Sequence, residues 1–137
     1  MKHGSIFLAR VIFALLFALV TWLTVTPNPD DTEAGFKVVR WIASVLFGDP
    51  ERGDKVAHFA AYGVLGASAV FAKFSLFGKR LWIPLGLAAY GAMLEGVQGL
   101  GGVRTPEAVD AIANALGAVA GFGLAYMVTQ LFYGKKA

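Results

Sequence analysis

The chain has 137 residues, of which 57% are hydrophobic and 15% are charged, and its formal net charge is +3. Long uncharged apolar runs are typical of membrane helices and exclude an ordinary soluble domain. The basic residues flank these runs and form no basic patch with exposed aromatics, which excludes nucleic acid as a partner. Because the chain has no cysteine, disulfides, thiolate nucleophiles and cysteine-bound metals are excluded as well. The length is that of a single domain.

The first apolar run predicts a retained membrane helix over about residues 5–26. A cleaved signal peptide is disfavoured, because no small-residue cleavage site precedes Pro27 and Trp22 stands where small residues would be needed. The proline-rich residues 27–30 then end the helix, since proline cannot donate a backbone hydrogen bond.

Residues 36–47 predict a short amphipathic helix, with apolar side chains on one side and Lys37, Arg40 and Ser44 on the other. Two placements remain open. The helix lies in the membrane interface with Trp41 at the level of the headgroups, or it packs over the end of a helix bundle.

Three further apolar segments predict membrane helices over about residues 55–73, 81–99 and 107–133. Asp54 is a candidate N-cap for the first of them, and a Thr-Pro-Glu sequence at residues 105–107 predicts the start of the last. Small residues at positions 63 and 66, and at 113, 117 and 121, predict close helix packing. We therefore expect an all-α fold. It is an integral membrane bundle of four transmembrane helices in a single domain over residues 1–137, with an amphipathic interfacial helix between the first and second spans.

The distribution of basic residues predicts the orientation of this bundle. With the N-terminus in the cytoplasm, seven basic residues fall inside and five outside. The inner ones are Lys2, Arg10, Lys73, Lys79, Arg80, Lys135 and Lys136, and the outer ones are Lys37, Arg40, Arg52, Lys55 and Arg104. Both termini are therefore predicted to be cytoplasmic. The start of the second span, the end of the third and the start of the fourth then lie at the outer face.

Polar residues interrupt the apolar segments at that same face. They are Asp54, Lys55, His58 and Tyr62 in the second span, Glu95 and Gln98 in the third, Arg104 in the loop, and Asp110 and Asn114 in the fourth. At a rise of about 1.5 Å per residue, His58, Glu95 and Asp110 each lie within roughly 5–8 Å of a helix end. Because buried charges require partners, we expect these three side chains to meet.

The predicted cluster supports more than one chemistry. His58 beside Glu95 or Asp110 would form an acid–base pair tuned by burial, so these three are the candidate catalytic residues. The same charges could instead form a self-satisfied network that holds three helices in register. A divalent cation bound by His58 and two carboxylates is the weaker alternative because only one histidine is present, so no metal ion and no cofactor is assigned. With His58 neutral, the three acids and two bases of the set leave a charge of −1, counting Asp54, Glu95, Asp110, Lys55 and Arg104.

These residues also resemble the motifs of VanZ-like proteins, a family of small bacterial membrane proteins. Asp54-Lys55-x-x-His58-Phe59-x-x-Tyr62-x-x-Leu65-Gly66 is similar to the second-helix motif of that family. Glu95-x-x-Gln98, then Arg104, then Asp110-x-x-x-Asn114-x-x-Gly117 resembles the second half of the family sequence. The resemblance extends from Asp54 to about Gly121.

The resemblance implies a multi-pass protein of the bacterial cytoplasmic membrane. The family's namesake lowers susceptibility to teicoplanin, a lipoglycopeptide whose target is the lipid-linked cell-wall precursor outside the membrane. It therefore implies action at the outer face on an envelope lipid or lipid-linked precursor. The partners would be membrane lipid and such a precursor or lipoglycopeptide, and six residues are candidates for binding: Asp54, Lys55, Tyr62, Gln98, Arg104 and Asn114. The alternative is a non-catalytic scaffold or partner of an envelope enzyme, in which the polar cluster is structural. The resemblance sets neither an enzymatic activity nor an oligomeric state.

Overall fold

The computed structural model describes residues 3–25, 33–100 and 107–133. Within these ranges the chain is all-α, as predicted, and each helix lies within a few residues of its predicted range. The five α-helices are α1 (His3–Val25), α2 (Glu33–Phe47), α3 (Gly53–Phe71), α4 (Ile83–Leu100) and α5 (Ala108–Tyr133). Single 3-10 turns at Pro50–Arg52 and Arg80–Trp82 lead into α3 and α4.

The start of α3 differs from the prediction. The helix continues from the preceding 3-10 turn, so Arg52 occupies the cap position and makes no side-chain cap bond. Asp49 caps the turn instead, because its side chain accepts a hydrogen bond from the backbone N–H of Glu51 at 3.0 Å. The assignment of Asp54 as the N-cap was therefore wrong. Asp54 lies inside the first turn, where its Oδ1 accepts from the backbone N–H of Lys55 at 2.8 Å.

Helices α3 and α5 form the closest packed pair, and glycines allow the approach. A Cβ added to Gly117 or Gly121 would run into the carbonyl oxygens of Phe59 and Gly63, respectively. A Cβ on Gly66 would likewise run into the backbone of Ala118. The predicted packing of small residues is confirmed at these positions. We call the contact formed by Phe59, Gly63 and Gly66 with Gly117, Ala118 and Gly121 the glycine seam.

Helices α1 and α4 complete the core around α3. Tyr62 and Leu65 are fully buried and cluster with Val20 of α1 and Leu87 of α4. The helix α2 packs on the start of α3, where a Cβ at Gly53 would lie 2.8 Å from Cγ of Arg40. The core therefore lies where α3 faces α1 and α4, and α2 covers the N-terminal end of α3.

Two helices of the described chain are long and apolar enough to cross a membrane, over Gly4–Val25 and Ala108–Phe132. Only 6% of the α1 window is buried inside the structure, and large apolar side chains such as Phe7 and Leu15 point outward. Exposed apolar surface of this extent marks contact with lipid or with another protein. The polar residues near the start of α3 and the end of α4 lower the hydropathy of those two helices.

Candidate functional site

The site is built around His58 in the second turn of α3. His58 Nδ1 lies 3.9 Å from Glu95 Oε1 of α4, and His58 Nε2 lies 3.9 Å from Asp110 Oδ2 of α5. One potential ligand atom from each of the three residues lies within 4.8 Å of the others. Both carboxylates are buried, with residue exposures of 5% for Glu95 and 1% for Asp110. The structure thus brings together the three residues predicted to meet, and we call them the His58 cluster.

Asn114 fixes the orientation of the imidazole. It lies one helical turn after Asp110, is fully buried, and its Oδ1 accepts a hydrogen bond from His58 Nδ1 at 3.0 Å. Because an amide oxygen only accepts, Nδ1 carries the hydrogen in this arrangement. In the neutral imidazole, the lone pair of Nε2 then faces the Asp110 carboxylate.

Lys55 joins three carboxylates at the entrance to the cluster. Its Nζ lies 2.8 Å from Asp54 Oδ2, 2.5 Å from Glu107 Oε2 and 2.9 Å from Asp110 Oδ1. Asp110 is therefore held from two sides, with Oδ1 on Lys55 and Oδ2 directed at His58. Because Lys55 belongs to α3 and its partners Glu107 and Asp110 lie at the start of α5, the ammonium also ties these two helices together.

The structure adds one carboxylate, that of Glu107, to the set predicted from the sequence. Four carboxylates and one ammonium leave a charge of −3 when His58 is neutral. The expected value of −1 omitted Glu107 and included Arg104, which lies outside the described residues. Glu107 was interpreted only as an acid at a helix start. Its spacing of three from Asp110 places both on one helix face and would have identified it.

Two of the predicted binding residues, Tyr62 and Gln98, are buried, and the ring of Tyr62 lies beside Asn114 at Gly91. Tyr62 is part of the apolar core, and its buried hydroxyl has no hydrogen-bond partner among the described residues. Gln98 turns toward α1 and donates from Nε2 to the backbone oxygen of Thr24. The role of Thr24 left no signal in the sequence, since any residue offers a backbone carbonyl. The binding roles assigned to these residues, and the catalytic role of the His58 cluster, stay predictions.

The arrangement can act in three ways. An imidazole between two carboxylates can transfer a proton, it can coordinate a cation with them, or it can hold three helices together. The His58 side chain is 13% exposed, so access from outside is narrow.

A family model described as VanZ/LLP1 matches residues 11–130. The chain belongs to the VanZ/LLP1 family. The matched range includes the His58 cluster, Lys55, Glu107 and Asn114, so the site lies within the VanZ/LLP1 domain. Among curated proteins and solved structures, none matches the chain. Membership of the VanZ/LLP1 family together with the two apolar helices indicates a membrane protein.

Proposed function

We propose that this chain acts at the outer face of the bacterial cytoplasmic membrane on an envelope lipid or a lipid-linked cell-wall precursor. The observation that carries the proposal is the half-buried His58 between two buried carboxylates, at one end of a bundle with an apolar exterior. Polar and ionisable groups at membrane depth are costly and mark functional sites. Lowered susceptibility to teicoplanin-type lipoglycopeptides is the phenotype that such an action would produce.

The proposal includes four membrane spans with both termini in the cytoplasm. Helices α3 and α4 have 19 and 18 residues. At about 1.5 Å per residue they are about 27–29 Å long, which is close to the hydrocarbon thickness of about 30 Å. With α1 and α5 they would make four spans, and the excess of basic residues on the side of the α1 N-terminus supports a cytoplasmic N-terminus. The His58 cluster lies at the opposite end, toward the outer leaflet.

The charge of the site indicates what part of a lipid it would recognise. The four described carboxylates repel a bare phosphate or pyrophosphate, whose tight capture requires excess lysine and arginine. They attract hydrogen-bond donors and cations. The recognised groups are therefore hydroxyls, amides or ammonium groups of the headgroup, or a phosphate that reaches the site through a bound cation.

A structural scaffold is the second candidate, and two contacts favour it. Lys55 links α3 to α5, and Gln98 ties α4 to α1. In this function the chain would alter antibiotic access or support an envelope enzyme without chemistry of its own. The two candidates differ in what a charge-neutral substitution at Glu95 does, since a scaffold would lose stability and a site would lose its ligand.

The direct test is native mass spectrometry of the full chain extracted with its lipids from bacterial membranes. We expect the parent protein to retain an envelope lipid or a lipid-linked precursor that the variant Glu95→Gln no longer retains. Glu51→Gln is the matched control, because the Glu51 side chain is 78% exposed and pairs with Arg40 in front of α3. Equal retention by all three proteins would contradict the proposal. Teicoplanin susceptibility of a sensitive Gram-positive host provides the phenotype measured in parallel.

The orientation is tested by labelling intact cells with an impermeant thiol reagent. A cysteine in place of the exposed Glu51 is expected to react, and a cysteine in place of the exposed Ser75 is not. Because the chain has no native cysteine, the parent protein is the background control. Labelling at position 75 but not at 51 would reverse the topology.

A further inference from the structure

We infer that the His58 cluster binds a divalent transition-metal ion, with an imidazole nitrogen of His58 and one carboxylate oxygen each from Glu95 and Asp110 as ligands. The candidate ligand atoms all lie within 4.8 Å of one another. Two ligands at about 2.0–2.4 Å from one ion lie at most about 4–4.8 Å apart, so the three side chains are spaced for a single ion. The inference goes beyond the proposed function, because ion binding belongs to the protein alone and is measured without lipid.

The donor set indicates the class of ion. Imidazole favours zinc, iron, copper and nickel over the purely oxygen-seeking ions magnesium and calcium, and carboxylates suit manganese as well. One nitrogen and two oxygen ligands leave at least one coordination position open for water or a substrate oxygen. We therefore expect Zn²⁺ and Mn²⁺ to bind more tightly than Mg²⁺.

The residues around the ligands orient them as the second layer of a metal site does. A ligating histidine ordinarily donates its other ring N–H to a carbonyl or carboxylate, and its ligating nitrogen is thereby fixed. Here His58 Nδ1 donates to Asn114 Oδ1 at 3.0 Å, which leaves Nε2 for the ion. Lys55 Nζ holds Asp110 Oδ1 at 2.9 Å, which leaves Asp110 Oδ2 directed at His58 Nε2, 3.9 Å away.

An unsatisfied amide gives independent support for a ligand. Asn114 is fully buried, and its Nδ2 has no hydrogen-bond partner among the described residues. The same amide group contacts His58 through Oδ1, so Nδ2 lies beside the cluster. Nδ2 packs against Gly91 of α4, where a Cβ would lie 3.0 Å from Nδ2 and 3.1 Å from Tyr62 Cε1. A water molecule on the ion is an acceptor of the kind that a buried amide donor requires.

The negative charge of the described groups also favours binding of a cation. The described groups carry −3 with neutral His58, and a dication reduces this to −1. Burial of uncompensated like charges is unfavourable, whereas buried charges that coordinate a metal are common. Lys55 contacts three of the four carboxylates, and the ion would bind the fourth, Glu95, together with Asp110.

The experiment uses the full chain in detergent after removal of metal by chelation. Isothermal titration with Zn²⁺ and with Mn²⁺ is expected to show one saturable site per chain, which Mg²⁺ fills at least about tenfold more weakly. His58→Gln and Glu95→Gln should each abolish saturable binding, and Asn114→Leu should weaken it by about 10–100-fold. Glu51→Gln removes a carboxylate from the same end of the molecule and should bind like the parent.

A second measurement does not depend on whether the variants fold. Mn²⁺ bound to the parent should show electron spin-echo modulation by the nitrogen of one histidine. Absence of saturable binding, or bound Mn²⁺ without that nitrogen signal, would overturn the inference and leave proton transfer as the chemistry of the cluster. Ion binding without lipid retention would instead reject the proposed function alone, and lipid retention without ion binding would reject only the metal site.

Discussion

The two ends of α3 are both charged, but only one of them is explained by helix structure. At the C-terminal end, Arg10 Nε donates to the backbone oxygen of Ala72 at 3.3 Å, and Arg80 donates to that of Val70 at 2.5 Å. The last carbonyls of a helix have no partner within it, so these cations satisfy acceptors that every helix leaves open. At the N-terminal end, Lys55 and His58 meet four carboxylates. Asp54, Glu107 and Asp110 lie at helix starts, where acids are favourable, but Glu95 lies near the C-terminal end of α4, where an acid is not.

The comparison indicates that the charged groups at the N-terminal end of α3 together stabilise the fold less than those at the C-terminal end. The arginines at the C-terminal end lie over aromatic rings, 5.6 Å from Phe74 for Arg10 and 5.6 Å from Tyr126 for Arg80, so each guanidinium has a favourable cation–π contact. The N-terminal end gathers like charges in a nearly closed space. A carboxylate such as Glu95, buried beside other acids and not accounted for by a helix start, is the kind of group that function retains. The predictions below test this contrast by stability measurements on metal-depleted protein.

Removal of Lys55 should have the largest effect. Lys55→Met leaves Asp54, Glu107 and Asp110 without the ammonium they share, and Asp110 is 1% exposed. Breaking a buried ion pair costs about 3–5 kcal/mol, and the lower end applies because Lys55 is one-fifth exposed. We expect a loss of about 3 kcal/mol in the free energy of unfolding, measured by denaturant titration in detergent. Lys73→Met, at an exposed lysine beyond the other end of α3, should change it little; equal losses would erase the contrast.

A substitution in the glycine seam should lower the stability somewhat less. It shows how large the effect of a purely structural change is. Gly121→Ala places a methyl group against the backbone of Gly63, which cannot rotate away. Overpacking of this kind costs about 1–3 kcal/mol. Gly123→Ala is the matched control on the same helix, since a Cβ there meets nothing within 4 Å. We expect Gly121→Ala to lower the melting temperature and Gly123→Ala to leave it unchanged or raise it, because alanine favours helix more than glycine.

The next largest loss of stability is expected when the charged cap at the C-terminal end of α3 is removed. Arg80→Met removes one of the donors to Val70 O and the contact with Tyr126, while the backbone N–H of Lys73 still donates to Val70 O at 3.2 Å. A hydrogen bond to a charged group is worth about 1.5–3 kcal/mol, and we expect the lower figure because Ala72 and Lys73 N–H groups also bond to carbonyls at this helix end. Lys79→Met, at an exposed neighbour, is the control. A loss as large as that of Lys55→Met would contradict the proposed difference between the ends.

The sequence predicted the helices well because their signals are local. Apolar runs and the spacing of small residues depend only on neighbouring positions, and the seam at Gly117 and Gly121 followed from them. The approach of His58, Glu95 and Asp110 was also predictable, since depth along three helices placed them at one level. The two polar side chains of α4 have different partners, and their spacing in the sequence does not show why. Gln98 shares a face with Glu95, yet it bonds to the backbone of α1, and that choice depends on how α1 packs.

The smallest expected effect on stability is the most informative about function. In a balanced network, Glu95→Gln would leave a buried charge without its partner and cost about 3–5 kcal/mol. In an acid-rich cluster the same change removes like-charge repulsion, while the amide keeps the shape and part of the hydrogen bonding.

We therefore expect Glu95→Gln to shift the free energy of unfolding by less than about 1 kcal/mol. In the double variant with Lys55→Met it should recover part of the stability that the single lysine variant loses, because the acids left without Lys55 then repel less. Denaturant titrations of the parent, both single variants and the double variant complete this double-mutant cycle. Additive losses, with Glu95→Gln as damaging as Lys55→Met, would show that the carboxylate is a structural partner at this end of α3 and would favour the scaffold over the site.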